Sequence, residues 1–181
     1  MERKPLLIVM VGLPGSGKST KAEEIKEKYG FKVFSSDKIR GELYGDENCQ
    51  ADPSRVFGTL YNRMNRALQK GEDCILDATN ANRKDRKGVF RQIRDVGNYD
   101  VVAYVVTTNI DECIRRDSGR DRVVGPDVVK RYADKFKMPS EDEGFKDVFI
   151  DNSRYDMERF HNLLEGKETQ IQNPEKDLCL V

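Results

Sequence analysis

The chain has 181 residues, of which 37% are hydrophobic and none is tryptophan, with 32 lysines and arginines balanced by 32 aspartates and glutamates. That length suits one α/β domain with its own core and is short for two, and the zero net charge excludes a global positive field, so any polyanion contact has to come from local clusters. No apolar run has transmembrane length, no signal-peptide architecture precedes the first strand, and the cysteines at 49, 74, 113 and 179 form no C-x-x-C pair, so a cytoplasmic protein without a disulfide scaffold or zinc site is expected.

The apolar run from Leu6 to Val11 predicts a buried strand. It leads into Gly12-Leu13-Pro14-Gly15-Ser16-Gly17-Lys18-Ser19-Thr20, which fills every fixed position of G-x-x-x-x-G-K-[ST], and a helix is predicted over 21–29 with Gly30 to stop it. The residue types state the chemistry. Backbone amides of the turn and of the next helix converge on an anion, and glycines at 12, 15 and 17 permit the angles and close approach that a Cβ would block. Lys18 can then reach the β- and γ-phosphates and the Ser19 hydroxyl can ligate Mg²⁺. Gly15, Ser16, Gly17, Lys18, Ser19 and Thr20 are therefore the expected nucleotide cradle, with ATP and Mg²⁺ as cofactors. A chance glycine turn would not have both flanks in place.

A short strand over 31–34 follows, then Ser35-Ser36-Asp37 and a brief helix over 38–43. Residues 44–52 read as an exposed loop. Apolar residues at 56, 57, 60, 61, 64, 67 and 68 paint one stripe on a helix over 53–70. Cys74-Ile75-Leu76 is a continuous apolar strand ending in Asp77-Ala78-Thr79-Asn80, and a helix over about 83–96 turns Val89, Phe90, Ile93 and Val96 inward and a dense basic face outward. A buried strand over 101–106, a short helix over 111–116, an arginine-rich polar stretch over 118–125, a helix over 126–136 and a loop over 138–144 come next. A last strand at 147–150 and a helix from about 155 to 164 complete the elements. Alternating apolar strands and helices call for a parallel sheet of about five strands covered on both faces. One domain over 1–165 and a polar, frayed tail over 166–181 are expected. Cys74 and Cys113 read as buried thiols and His161, the single histidine, as a surface or packing residue.

Three stretches fall where strands end, the place where open α/β sheets bind ligands. Asp37 can accept the proton of an attacking hydroxyl, or it can serve only as a helix N-cap. Arg40, three residues on, lies on the same helical side and can fork onto a phosphate. Asp77 is placed to partner the Mg²⁺, although Asp77 to Asn80 could equally be a capped turn. Arg115-Arg116-Asp117-Ser118-Gly119-Arg120-Asp121-Arg122 has the composition of a mobile lid that closes arginines over transferring phosphates, or of a solvated helix end.

GLPGSGKST, SSDKIR, DATN and CIRRDSGRDR, in this order over residues 7–152, resemble the P-loop 5′-hydroxyl polynucleotide kinases, the kinase module of bacteriophage polynucleotide kinase and of bacterial RNA end-healing enzymes. The resemblance implies a P-loop kinase fold with an arginine-bearing lid, and phosphoryl transfer from ATP to 5′-hydroxyl ends of RNA or DNA. It makes Asp37 the general base, with Arg40 on the phosphate beside the accepting hydroxyl. It sets Arg116 and Arg120 on ATP, the latter at the γ-phosphate, and Asp77 and Thr79 around the acceptor. Arg86 matches a position that can meet the nucleic-acid backbone, while Arg122 aligns only across a one-residue gap. The phosphatase and ligase domains fused to such kinases have no counterpart motif here, so a stand-alone kinase is expected. Two other readings stay open: a kinase of a small-molecule or modified-base hydroxyl, and, more distantly, an ATP-driven switch, for which the strand ending Leu76-Asp77-Ala78 lacks the glutamate that would activate water.

Overall fold

Six consecutive apolar residues need cover on both sides, and Leu6–Val11 (β1) is buried along its whole length. The computed structural model describes residues 4–47, 49, 52–119 and 123–166. Four more strands, β2 (Lys32–Ser35), β3 (Cys74–Asp77), β4 (Asp100–Val105) and β5 (Asp147–Ile150), join β1 in one parallel sheet of order β2-β3-β1-β4-β5. Val9 stands opposite Leu76 on one side and Ala103 on the other, which fixes the register at the centre.

Strand alternation divides the core. Leu7, Val9 and Val11 face one layer with Leu60 and Met64 of α3 (Pro53–Gln69) and Val89 and Ile93 of α4 (Arg83–Ile93). Leu6, Ile8 and Met10 face the other with Ala22 and Ile25 of α1 (Lys18–Tyr29) and Phe160 of α7 (Arg154–Leu164). Both faces are covered, as the uniform hydrophobicity of β1 and β3 requires. Among the described residues there are three further, short helices: α2 (Ser36–Tyr44), α5 (Ile110–Ser118) and α6 (Pro126–Asp134). None of the described helices is long and apolar enough to cross a membrane.

Differences from expectation lie at element ends. α1 begins at Lys18 rather than 21, so the lysine and serine of the phosphate loop already belong to its first turn. Gly30 does stop it, at φ 78° with its N–H on the Lys26 carbonyl at 2.8 Å. α2 absorbs Ser36 and Asp37, α5 extends to Ser118, and α4 stops at Ile93, three residues short of the forecast. The 138–144 loop holds a 3₁₀ turn, Glu141–Glu143. The expected tail lies outside the described residues beyond Gly166.

The strand order matters for function. β1 lies between β3 and β4, and because all five strands are parallel their carboxyl ends lie along one edge of the sheet, where open α/β sheets bind ligands.

Candidate active site

At two of its glycines the loop between β1 and α1 packs too closely for a side chain. A Cβ added at Gly15, which holds φ 78°, would collide with the Cys113 carbonyl of α5. One added at Gly12 would sit 2.8 Å from Ser16 Oγ and 2.9 Å from the Val106 carbonyl. Gly17, at φ 101°, is the N-cap of α1 and turns the chain into the helix. Lys18 is nearly buried, with Nζ donating to the Leu13 carbonyl at 2.7 Å, so the ammonium lies folded over the loop it serves. Ser16 Oγ is buried and has no hydrogen-bond partner. A cleft of about 640 Å³ opens here, lined by Gly15 to Lys21, Val106, Thr108, Arg116 and Asp151 among others.

Ser19 Oγ donates to Asp77 Oδ2 at 2.8 Å, joining the start of α1 to the end of β3 across 58 residues. A hydroxyl and a carboxylate at that separation, beside a phosphate loop, are the donor set an Mg²⁺ ion on a nucleotide uses, one directly and one through water. The orphaned Ser16 hydroxyl, the glycine-rich loop and this oxygen pair fit a nucleoside triphosphate with Mg²⁺.

The residues expected on the acceptor side lie on α2. Ser35 is the N-cap, so Asp37 stands inside the first turn and is not the capping residue. Arg40 Nη1 donates to Asp37 Oδ1 at 2.8 Å, with the guanidinium side chain 8% and the carboxylate 28% exposed. The turn after β3 is bolted to β1. Thr79, half-buried, accepts the Gly12 N–H on its carbonyl at 3.2 Å. Asn80 adopts φ 45° and donates Nδ2 to the Met10 carbonyl at 2.9 Å and to the Ala78 carbonyl at 3.2 Å. A left-handed asparagine satisfied by the backbone of another strand is a strained residue with a positioning task.

Arg116 lies on α5 over the phosphate loop, with Nε on Glu112 Oε1 at 2.6 Å and Nη1 on the Ser16 carbonyl at 3.3 Å. Hydrogen bonds from Arg115 and Arg116 hold the Glu112 carboxyl down at about 2. Burial raises the Cys113 thiol and pushes Cys74 up to about 12, which fits the inert role expected of both. Arg120 and Arg122 lie outside the described residues, so of the forecast lid's arginines only Arg115 and Arg116 can be placed, and both are anchored on α5 to Glu112.

Arg86 requires a correction. Its position in the sequence suggests an outward basic face toward nucleic acid, but its side chain is fully buried. It donates to both Glu143 carboxylate oxygens at 2.8 and 2.7 Å, and from Nη1 to the Asn80 carbonyl at 3.0 Å and the Lys137 carbonyl at 2.9 Å. A guanidinium so engaged has no face left for a substrate. Its work is to tie the Asp77–Asn80 turn to the segment after α6.

Sequence reasoning also missed three groups, two of which, Thr108 and Asp151, line the cleft. Asp117 is buried and its carboxylate accepts the N–H groups of Val124 (3.1 Å) and Gly125 (2.9 Å), pinning the return of the arginine-rich stretch. Thr108 donates Oγ1 to the Ser16 carbonyl at 2.8 Å. Asp151, directly after β5, lines the cleft and accepts both the N–H and the hydroxyl of Thr107 at 2.8 and 2.6 Å. Only Asp151 carried a sequence signal, as an acid at the carboxyl end of a predicted strand.

With this geometry in place, comparison with known proteins narrows the kinship. The AAA domain family matches residues 7–139. An adenylate kinase of Pyrococcus furiosus is 34% identical over 125 residues, which are 62% of this chain and 56% of that one. Among solved structures, a chain of the Pnkp1/Rnl/Hen1 RNA repair complex superposes over 75% of this chain and 45% of its own length, with TM-score 0.65 and 19% identity. A fungal RNA kinase superposes over 90% of this chain and 43% of its own, with TM-score 0.61 and 15% identity. Identities that low speak for the fold alone. The chain spans little more than half of the adenylate kinase and less than half of either structural neighbour.

Proposed function

The chain belongs to the AAA domain family and has a P-loop kinase fold, and from that premise we propose that it transfers the γ-phosphate of ATP to the 5′-hydroxyl end of a polynucleotide. The observation that carries this reading is the Asp37–Arg40 pair, a carboxylate and a nearly buried guanidinium in contact at 2.8 Å, beyond the Ser19–Asp77 pair on the acceptor side. A hydroxyl nucleophile needs a proton acceptor, and a nucleotide flanked by a phosphodiester brings an anion beside that hydroxyl. Arg40 gives one N–H to Asp37 and keeps donors for such an anion.

In the proposed reaction the loop amides and Lys18 grip the donor's β- and γ-phosphates. Asp37 accepts the proton of the 5′-hydroxyl as its oxygen forms the bond to the γ-phosphorus and the bond to the β–γ bridging oxygen breaks, releasing ADP. Mg²⁺, held through Ser19 and Asp77, supplies charge neutralisation on the donor when bound. Arg116, and Arg120 from the proposed lid, stabilise charge on the phosphates. Thr79 shapes the acceptor side from the turn that Asn80 and Arg86 hold in place.

The test is transfer of labelled γ-phosphate to 5′-hydroxyl oligonucleotides, to nucleoside 3′-monophosphates and to bare nucleosides. The first two should be phosphorylated far better than the third, and Arg40→Ala should lower kcat/KM for them by about one to two decades, the worth of a charge-assisted forked contact. A preference for the bare nucleoside would overturn the polynucleotide reading in favour of a small-molecule kinase.

The likeness to an adenylate kinase favours a second reading, with a nucleoside monophosphate as acceptor. There the nucleophile is already an anion and needs no base, and a carboxylate such as Asp37 would repel it. AMP, CMP and UMP therefore belong in the same acceptor panel, and rapid transfer to them would displace the hydroxyl acceptor.

A further inference from the structure

Surface cations of this protein are commonly paired: Lys26 and Lys38 with Glu23 at 2.6 and 2.5 Å, Lys32 with Glu72 at 2.7 Å, Lys146 with Asp100 at 2.5 Å. The outer face of α3 and α4 departs from that rule over most of its length, although Arg63 of α3 pairs with Glu42 and Arg83 of α4 with Asp142, each at 2.5 Å. The 17 residues of α3 include no aspartate or glutamate, and the 11 of α4 include only Asp85, in a chain whose acids equal its bases. On α4 the exposed Lys84, Lys87 and Arg91 recur at spacings of three and four, which is one row along a helix, and Arg94 at the C-cap, paired with Asp95 at 3.2 Å, continues it. Arg66 of α3 lies on the neighbouring exposed surface, and Asn65 Nδ2 donates to the Gln92 carbonyl at 2.9 Å to hold the two helices side by side. Among the described residues, Arg66, Lys84, Lys87 and Arg91 enter no ion pair. Like charges at these spacings repel one another, so a row of them is a cost that a solvated face of mixed charge, such as α1, avoids.

Position adds direction. α4 begins three residues after Asn80, at the mouth of the acceptor crevice, and runs away from it, and α3 runs the same way because its end leads to the start of β3. From Lys84 to Arg94 the row extends about 15 Å, at 1.5 Å per residue.

We propose that this α3–α4 face is a docking track for the sugar–phosphate backbone of the polynucleotide whose 5′ end occupies the crevice, gripping strand phosphates without reading sequence. The inference rests on the polynucleotide acceptor and extends it from the terminal nucleotide to the strand behind. Phosphate contacts of this kind position a strand and make its affinity salt-dependent, with about 0.7 of logarithmic slope per single-strand phosphate neutralised.

The experiment measures binding, not turnover: fluorescence anisotropy of a labelled 20-nucleotide single strand titrated with the protein at several salt concentrations. The variants are Arg66→Glu/Lys87→Glu/Arg91→Glu and the milder triple change of the same residues to Gln. The wild type should bind with a steep salt slope. In the Glu triple variant the Kd should rise by about ten- to a hundredfold and the slope should fall by about two, because three strand phosphates are no longer neutralised. The Gln variant should shift in the same direction by less, and ATP affinity should hold in both, which reports an intact fold. Wild-type Kd and slope in both triple variants would overturn the proposal, as would polyglutamate competing as well as unlabelled oligonucleotide. If the wild type binds as expected but phosphorylates no 5′-hydroxyl strand, the acceptor assignment falls and the track stands. If it phosphorylates strands and the triple variants bind them normally, the track falls alone.

Discussion

Asp37 and Gly15 separate what a residue does chemically from what it permits sterically. Asp37→Asn keeps the size and an oxygen for Arg40 but removes the proton acceptor, so turnover should fall by roughly two to four orders of magnitude while ATP affinity survives. Steady-state kinetics with ATP titration checks this, and a variant that turns over normally would return Asp37 to a structural role. Gly15→Ala fails differently. At φ 78° with the Cys113 carbonyl in the way, a methyl group forces the loop off α5. Donor binding and thermal stability should both drop, the stability by about 1–3 kcal/mol for a residue held in an unfavourable backbone region. Residues of this kind are legible in the sequence because the phosphate loop is local: nine consecutive positions carry both geometry and chemistry. Arg86 is not, for the opposite reason. Its partner Glu143 is 57 residues away, and a sequence window shows only the neighbouring charges, which face solvent.

At the scale of elements, that buried pair explains how the Asp77–Asn80 turn keeps its shape. Removing one member strands the other charge, at about 3–5 kcal/mol, so Arg86→Met should lower the melting temperature by roughly 10 °C or more. Arg86→Met with Glu143→Leu should regain part of that. It should not regain all, because the Asn80 and Lys137 carbonyls also lose their donor. Calorimetry of the three proteins decides the matter, and a single variant that melts like wild type would remove the clamp. α5 offers a pH test. Glu112 is held at about 2 in the folded protein against an ordinary 4.5, so its pairing with Arg115 and Arg116 stabilises fully above pH 4.5 and is lost as the pH falls toward 2. The difference in melting temperature between wild type and Glu112→Gln should therefore shrink across that interval. A difference that stays constant would mean the carboxylate charge is not what anchors Arg116. Helix stripes are legible, since the apolar positions of α3 reappear as buried Val56, Leu60, Met64, Ala67 and Leu68. Helix ends are less so, because Ser36 and Asp37 favour caps in general and here continue a helix.

For the whole molecule, alternating apolar strands and amphipathic helices announce a two-sided parallel sheet, and that much is realised. The order β2-β3-β1-β4-β5 is not readable, because uniformly apolar strands are interchangeable by hydropathy and β1 pairs with β4 across more than 90 residues. That order is what makes the crevice. It gathers the α1 start, the β3 carboxylate and the α5 arginine around one loop, so a nucleotide bound there should stabilise several elements at once. A non-hydrolysable ATP analogue with Mg²⁺ at about 100 times its Kd contributes about 2.7 kcal/mol, which for a chain of this size is a rise of roughly 5–10 °C in melting temperature. Lys18→Ala should abolish the rise, since it removes the group that grips the β- and γ-phosphates in the proposed reaction. Ser19→Ala should cut the part that depends on Mg²⁺ because its hydroxyl, bonded to Asp77 at 2.8 Å, is the metal's direct protein ligand in the proposed reaction. Asp37→Asn should keep the whole rise, because in the proposed reaction Asp37 serves the acceptor and not the donor. Differential scanning fluorimetry of the four proteins, with and without the analogue and metal, tests the division of the crevice directly. A full shift in Lys18→Ala, or none in Asp37→Asn, would mean that donor and acceptor do not occupy the two sides assigned to them.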